Sequence, residues 1–332
     1  MAHGLRLSTV GLCRFLVLFA GLLGGGLWGG PASAYPDRPV RVVVPYAPAG
    51  PVDLVARLIA DKLSTKFNQT FFVDDKPGAN GVIGMQAIMN SPPDGLTLLL
   101  HASAGLTIYQ AVTKEPAFDT LRDLTPISMV AYFDLVLCAS PGAPFSDVQS
   151  FLAYARANPG KISYGSAGIG AMNHIGTEWL KTLAGIDIVH VPYRGDAPVA
   201  ADLINGTLGI AFISSNVAIP YIQSGKLKAL AVPSKKRMSV LPDTPTMAET
   251  GFPTFDLRPW MAFFGPAGLP KDIAAVLDSA LKEILAMPDV NERLNALGMT
   301  ADGSTAEELN EVVRENIARW KAVVVKARIT VE

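Results

Sequence analysis

Charge is scarce in this 332-residue chain: Asp, Glu, Lys and Arg make up 17%, 28 basic against 29 acidic, for a formal net charge of -1. No cationic field exists to collect phosphates, which argues against nucleic acid or an anionic membrane surface as the partner. Cysteine is nearly absent, with Cys13 and Cys138 alone, so no disulfide framework is expected. The four histidines and two cysteines form no His-x-x-x-His or Cys-x-x-Cys spacing, and neither a metal nor a cofactor is expected. Present instead are apolar residues, 49% of the total, with a mean hydropathy of +0.30. That composition excludes a disordered chain and is enough for one large or two ordinary cores.

Acidic residues are missing altogether from residues 1–36, which carry Arg6 and Arg14, an apolar run from Phe15 to Trp28, and then Pro31-Ala-Ser-Ala34. This is the layout of a secretory signal cleaved after Ala34. The rival reading, a membrane anchor, needs about 20 apolar residues, and the run is shorter and rich in glycine. Cys13 precedes the run, the wrong place for a lipid-modified first residue, and no twin-arginine pair is present. Removing residues 1–34 with Arg6 and Arg14 leaves 298 residues, 26 basic against 29 acidic, a net charge of -3. Cys138 then stands alone in an apolar run and reads as a small buried hydrophobe.

Beyond the signal, β-rich runs at 40–46, 70–74, 96–100, 127–130, 135–139, 162–164, 188–191, 208–213 and 229–232 alternate with helical periodicity. Such alternation predicts an α/β fold with mostly parallel sheets covered by helices. Val55, Leu58, Ile59, Leu63 and Phe67 mark the first helix, which Pro51 opens. Leu309, Val312, Val313, Ile317, Trp320 and Val324 mark the last, with Ser304 and Glu307 in capping-box spacing. One unit occurs twice, a strand running into a small-residue loop and a helix. It appears as 41–46, Ala47 to Pro51 and the helix with Asp53, then as 161–164, Gly165 to Gly170 and the helix with His174. Two doubly wound lobes would place both helix amino termini around one crevice, where backbone N–H groups hold an anion without Lys or Arg.

Tyr193 and Arg194 add a phenol and a guanidinium. Arg194 suits carboxylate capture, or is a solvated surface charge. His174, near a helix amino terminus, is placed to touch the anion, but with no catalytic partner in sequence reach it is expected instead to bond the loop backbone and hold the turn; His101 and His190 close β-runs with the same ambiguity. Two enzyme signals are weak. Ser103, in His101-Ala-Ser-Ala-Gly105, imitates a hydrolase nucleophile elbow but lacks its first glycine, and no histidine follows His190 to complete a Ser-acid-His order. Gly78, Gly81 and Gly84 follow Pro77 rather than a strand, and Gly165, Gly168 and Gly170 reverse the dinucleotide fingerprint.

Taken in order, Tyr35 to Arg41, Pro45 to Gly50 with Asp53, Pro77 to Gly81, Pro93-Asp94-Gly95, Tyr164 to Gly168 with His174, His190 to Gly195 and Leu241 to Thr246 resemble the Bug family, the periplasmic solute receptors of tripartite tricarboxylate transporters. The resemblance spans the mature chain. It implies a type II periplasmic-binding-protein fold, lobe 1 at 35–132 plus 259–332 and lobe 2 at 133–258. It implies a monomer that closes on a small carboxylate and delivers it to membrane transport subunits. Ligand contacts are then expected from Tyr46, Ala47, Pro48, Ala49, Gly50, Asp53, Ser103, Ser166, Ala167, Gly168, Gly170, His174, Tyr193, Arg194, Gly195 and Ser214. Two positions depart from the family's Pro-Phe-x-Pro-Gly-Gly: Tyr46 stands for Phe, and Ala49 for a Gly, which argues against a positive φ there. Ile213-Ser-Ser-Asn216 also departs from the common Phe-Asp-Asn. A secreted hydrolase using Ser103, or a sensor serving a signalling partner, are the alternatives.

Overall fold

The computed structural model describes residue 1 and residues 35–329; the signal layout, with Cys13, lies outside the described residues. Residues from Arg38 onward form one unit. Its elements run β1 (Val40–Val44), α1 (Pro51–Phe67), β2 (Phe71–Asp75), α2 (Val82–Met89), β3 (Thr97–Ala102), β4 (Leu124–Phe133), β5 (Leu135–Ala139), α3 (Val148–Ala157), β6 (Ser163–Ser166), α4 (Met172–Ala184), β7 (Val189–Pro192), α5 (Asp196–Ile204), β8 (Ile210–Ser214), α6 (Ser215–Gln223), β9 (Lys228–Ala231), β10 (Trp260–Pro266), α7 (Lys271–Leu285), α8 (Pro288–Ala296), β11 (Met299–Ala301) and α9 (Ala306–Ala327). Shorter helical turns lie at 79–81, 104–112 and 120–123.

Two sheets result, ordered β11-β4-β10-β3-β1-β2 and β7-β6-β8-β5-β9. They are mixed rather than mostly parallel. In the first, β1 runs parallel to β2 and β3, while β10 is antiparallel to β3 and β4, and β11 to β4. In the second, β6 is parallel to β7 and β8, and β5 antiparallel to β8 and β9. Strand β10 accounts for much of the difference. Its run Trp260-Met-Ala-Phe-Phe264 is wholly buried in the centre of the first sheet and has no alternation to announce it.

Both faces of the second sheet are covered, and β5 shows how. Leu135, Leu137 and Ala139 face one core with Phe151 of α3 and Ile175 of α4; Val136 and Cys138 face another with Leu203 of α5 and Ala218 of α6. This is the period of two that a strand imposes. Cys138 is fully buried, and burial pushes its thiol far above its ordinary range, so it packs as a hydrophobe.

Helix α9 belongs to two cores. Leu309 and Val313 pack with β4 and β10 in the first, whereas Trp320, Val323 and Val324 sit in the core of the second sheet, with Trp320 edge-on to Trp179 at 5.8 Å. Its capping box is Thr305 with Glu308, one residue beyond the expected Ser304 and Glu307: the Glu308 amide donates to Thr305 Oγ1 and the Thr305 amide to Glu308 Oε2. Ser304 is occupied elsewhere, its Oγ accepting the Met129 amide of β4. Thr305→Ala is therefore expected to lower unfolding free energy by about 1 kcal/mol, and Ser304→Ala to act through the sheet instead, both readable by urea denaturation.

Candidate functional site

A single residue separates β4 of the first sheet from β5, the first strand of the second. Strand β4 ends at Phe133, β5 begins at Leu135, and Asp134 lies between. Register places this crossover. Met261 pairs with Ala131 on one side and with Ala102, the last residue of β3, on the other, while Leu135 pairs with Ser214, the last residue of β8. The carboxyl edges of both parallel strand sets therefore meet at Asp134 and face each other across it. Its amide donates to the Gly298 carbonyl, its carbonyl accepts from the Ser215 amide, and its carboxyl accepts from Thr300, fixing the crossover to both edges. In open α/β sheets this edge is where ligands bind.

On the first edge the loop after β1 is closed by Asp53, which sits in the first turn of α1 and is 2% exposed. Its carboxylate accepts the Ala49 amide at 2.7 Å and pairs with Arg57 Nε at 2.8 Å; Arg57 in turn reaches Asp75 at 2.7 Å. Burial opposes the Asp53 charge, but Arg57 and the Ala49 amide outweigh it and hold the carboxyl below its ordinary value. Asp53 thus shapes the loop from inside and has little left for a ligand. Contrary to the sequence expectation, Ala49 does adopt a positive φ, of 65°. A left-handed alanine costs about 1–2 kcal/mol, and a hydrogen bond to a charged acceptor returns about 1.5–3 kcal/mol.

Beside this loop, His101 Nδ1 donates to the Ala102 carbonyl at 2.8 Å and lies 3.1 Å from the Tyr46 hydroxyl, the two rings edge to face. Gly105 is required there, because a Cβ would stand 2.2 Å from His101 Cε1. Burial lowers the His101 pKa to about 4 and raises that of Tyr46. Ala47, Pro48 and Ala49 remain exposed and Gly50 partly so.

The second edge is organised by side chains that turn inward. Ala167 N–H donates to Asn173 Oδ1, Gly168 N–H to Ser166 Oγ, and Gly170 N–H to His174 Nδ1 at 3.1 Å. His174 stacks on His190 at 4.0 Å, and His190 Nε2 lies 2.6 Å from Ser166 Oγ. Burial, then the neighbouring His190, lowers the His174 pKa to about 4. Asp196 ties three loops together, accepting from Asn173 Nδ2 and from both the amide and the hydroxyl of Ser214. The Tyr193 hydroxyl donates to Asp202 of α5 at 2.5 Å; burial and that carboxylate push its pKa up to about 12. Arg194 is exposed, and Gly195 opens α5 with φ 104°.

The structure therefore gathers 46–50 on one edge and 166–170, 193–195 and Ser214 on the facing one, with Asp53, His174 and Tyr193 engaged within the protein. Ser103 is not presented at either edge. It is fully buried, and its Oγ accepts the Trp260 amide at 3.1 Å, an interior position for a residue expected among the ligand contacts and named as nucleophile in the alternative reading. Asn173 and Asp196, the organisers of the second edge, escaped the sequence reading; each is a short polar residue in the first turn of a helix, the position where side chains bond nearby backbone. Protein groups also consume most of the loop amides that sequence reasoning assigned to an anion. Ala49, Ala167, Gly168 and Gly170 are taken, and Gly50 N–H points to Ala47 O at 3.4 Å. Among the described residues, those of Tyr46, Ala47 and Ile169 have no protein partner, nor do the first-turn amides of Val52 and Asp53 in α1 and of Met172, Asn173 and His174 in α4. A separate cavity of 270 Å³, lined by residues including Ser140, Lys161 and Gly206, lies at the opposite, amino edge of the second sheet.

Residues 55–329 match the family model described as tripartite tricarboxylate transporter family receptor. The chain belongs to that family. Among solved structures it is similar to the periplasmic binding protein BugD, at 32% identity and TM-score 0.69 over 89% of this chain and 99% of that one. It is likewise similar to R. palustris Rpa4515 with adipate, at 30% identity and TM-score 0.72 over 89% and 99%. A third is MatC from Rhodopseudomonas palustris with bound malate, at 30% identity and TM-score 0.69 over 87% and 100%. Receptor family members are solute-binding proteins rather than enzymes, which agrees with the interior position of Ser103.

Proposed function

We propose that this receptor captures a small dicarboxylic acid between two lobes, 35–132 plus 259–332 and 133–258, and delivers it as a monomer to membrane transport subunits. The reading rests on one observation. Among the described residues, amides of Ala47, Ile169 and the first turns of α1 and α4 that have no protein partner occupy these edges, where Asp53 is paired with Arg57, Asp134 and Asp196 accept from neutral donors, and Arg194 is exposed. Such amides bind a carboxylate in a site that excludes water, and a ligand that touches both edges favours the closed state by contacts the open state lacks. Crossings at Asp134 and before β10 would serve as the hinge, while the last turns of α9 move with lobe 2. The signal layout of residues 1–36 and the family's periplasmic members support a periplasmic location after cleavage at Ala34. The acids in Rpa4515 and MatC, adipate and malate, support a four- to six-carbon dicarboxylate.

A thermal-shift screen over mono-, di- and tricarboxylates, acidic amino acids and aromatic acids tests this. A dicarboxylate at 100 times its Kd is expected to stabilise the chain by about 2.7 kcal/mol. Absence of any shift across the panel contradicts the reading. Affinity for the best acid is expected to fall less than about threefold between about 0.1 and 1 M salt, because backbone dipoles in a closed site are poorly screened. A steep loss assigns the carboxylate to Arg194 instead.

A further inference from the structure

Between Gly168, with φ 137°, and Gly170, with φ 81°, stands Ile169, the large side chain of the loop after β6. Its neighbours are fixed. The Gly168 amide is held by Ser166 Oγ, its carbonyl accepts both that hydroxyl and the Ala171 amide, and the Gly170 amide is held by His174. The loop cannot relax to bury Ile169, which remains 59% exposed at an edge otherwise made of Ala, Gly, Ser and polar side chains. Exposed isoleucines are ordinary on a surface, but this one also carries the free amide of its loop. An acid group held at that amide comes within reach of the same residue's hydrocarbon. Across the crossover the facing edge exposes Ala47, Pro48 and Ala49, again apolar and uncharged.

We infer that Ile169 sets the chain-length preference of the cleft by covering the methylene groups behind the bound carboxylate, an inference that rests on the proposed reading of the site. A hydroxyl or charged branch at those carbons would meet no hydrogen-bonding side chain from Ile169 or from 47–49, whereas each buried methylene strengthens binding about fourfold.

Succinate, glutarate and adipate differ only in methylene number, and their calorimetric titration into the wild type, Ile169→Ala and Ile169→Leu tests the assignment. In the wild type, affinity is expected to rise with length, adipate over succinate by about 15-fold. Ile169→Ala should compress that ratio to about threefold while leaving succinate affinity within about twofold, and Ile169→Leu should restore the slope. A flat series in the wild type, or a ratio unchanged in Ile169→Ala, overturns the role of Ile169 and leaves the site standing. Failure of the wild type to bind all three acids overturns the site itself, and the inference with it.

Discussion

Gly168→Asp is expected to abolish carboxylate binding. An ideal Cβ at Gly168 lies 3.5 Å from the Tyr193 carbonyl, an ordinary contact, so steric collision is not the reason. Two other effects are. The φ of 137° lies in a region that L-residues rarely adopt. More important, the new carboxylate would sit beside the Ile169 amide and the first turn of α4, taking the place of the ligand's carboxylate and repelling it. Two unit charges about 4 Å apart at an effective dielectric of about 20 repel by about 4 kcal/mol, close to a thousandfold in affinity. Gly168→Ala, with the strain and no charge, should lose only about tenfold. Titration of both variants with the best acid from the screen separates the two contributions. Full affinity in Gly168→Asp would remove this loop from the site.

The other large effect is acid destabilisation. His101 and His174 are each buried and lowered from 6.5 to about 4, with burial the leading cause. Between those values the unfolded chain binds a proton at each and the folded chain does not, so stability rises with pH across the window and falls as pH drops from 6.5 to 4. Each histidine contributes about 3 kcal/mol that is present at pH 7 and gone near pH 4. His190, also lowered, acts in the same direction. Denaturation at pH 7, 6, 5 and 4 should show this decline, and His174→Gln should remove part of the slope. Equal stability at pH 7 and 5 would contradict the burial of both rings. At His174 the effect is local as well, because a protonated Nδ1 can no longer accept the Gly170 amide that positions Ile169.

Much of this protein was legible in its sequence. The repeated strand, small-residue loop and helix located both carboxyl edges, and the lack of a catalytic partner for His174 favoured the bond to the loop backbone that the structure contains. What escaped has physical causes. Strand β10 was missed because its buried apolar run has no alternation. The capping box slipped by one residue because Ser304 and Thr305 offer the same hydroxyl chemistry, and only the β4 partner of Ser304 distinguishes them. The φ of Ala49 was misjudged because local preference disfavours it by an amount that Asp53, four residues later, offsets. Three of the residues expected at the ligand have side chains engaged within the protein. Asp53, His174 and Tyr193 look available in a sequence, but at the edge of a sheet a polar side chain satisfies the backbone or a neighbouring carboxylate before it reaches a ligand.

A crystal structure of residues 35–332 with the dicarboxylate that binds best tests the central claim most directly. One carboxylate is expected within hydrogen-bonding distance of the amides of Ala47 and Ile169, contacting both edges, with the carbon chain against Ile169. A ligand seated instead in the cavity near Ser140 and Lys161, or held by one lobe alone, would contradict the account.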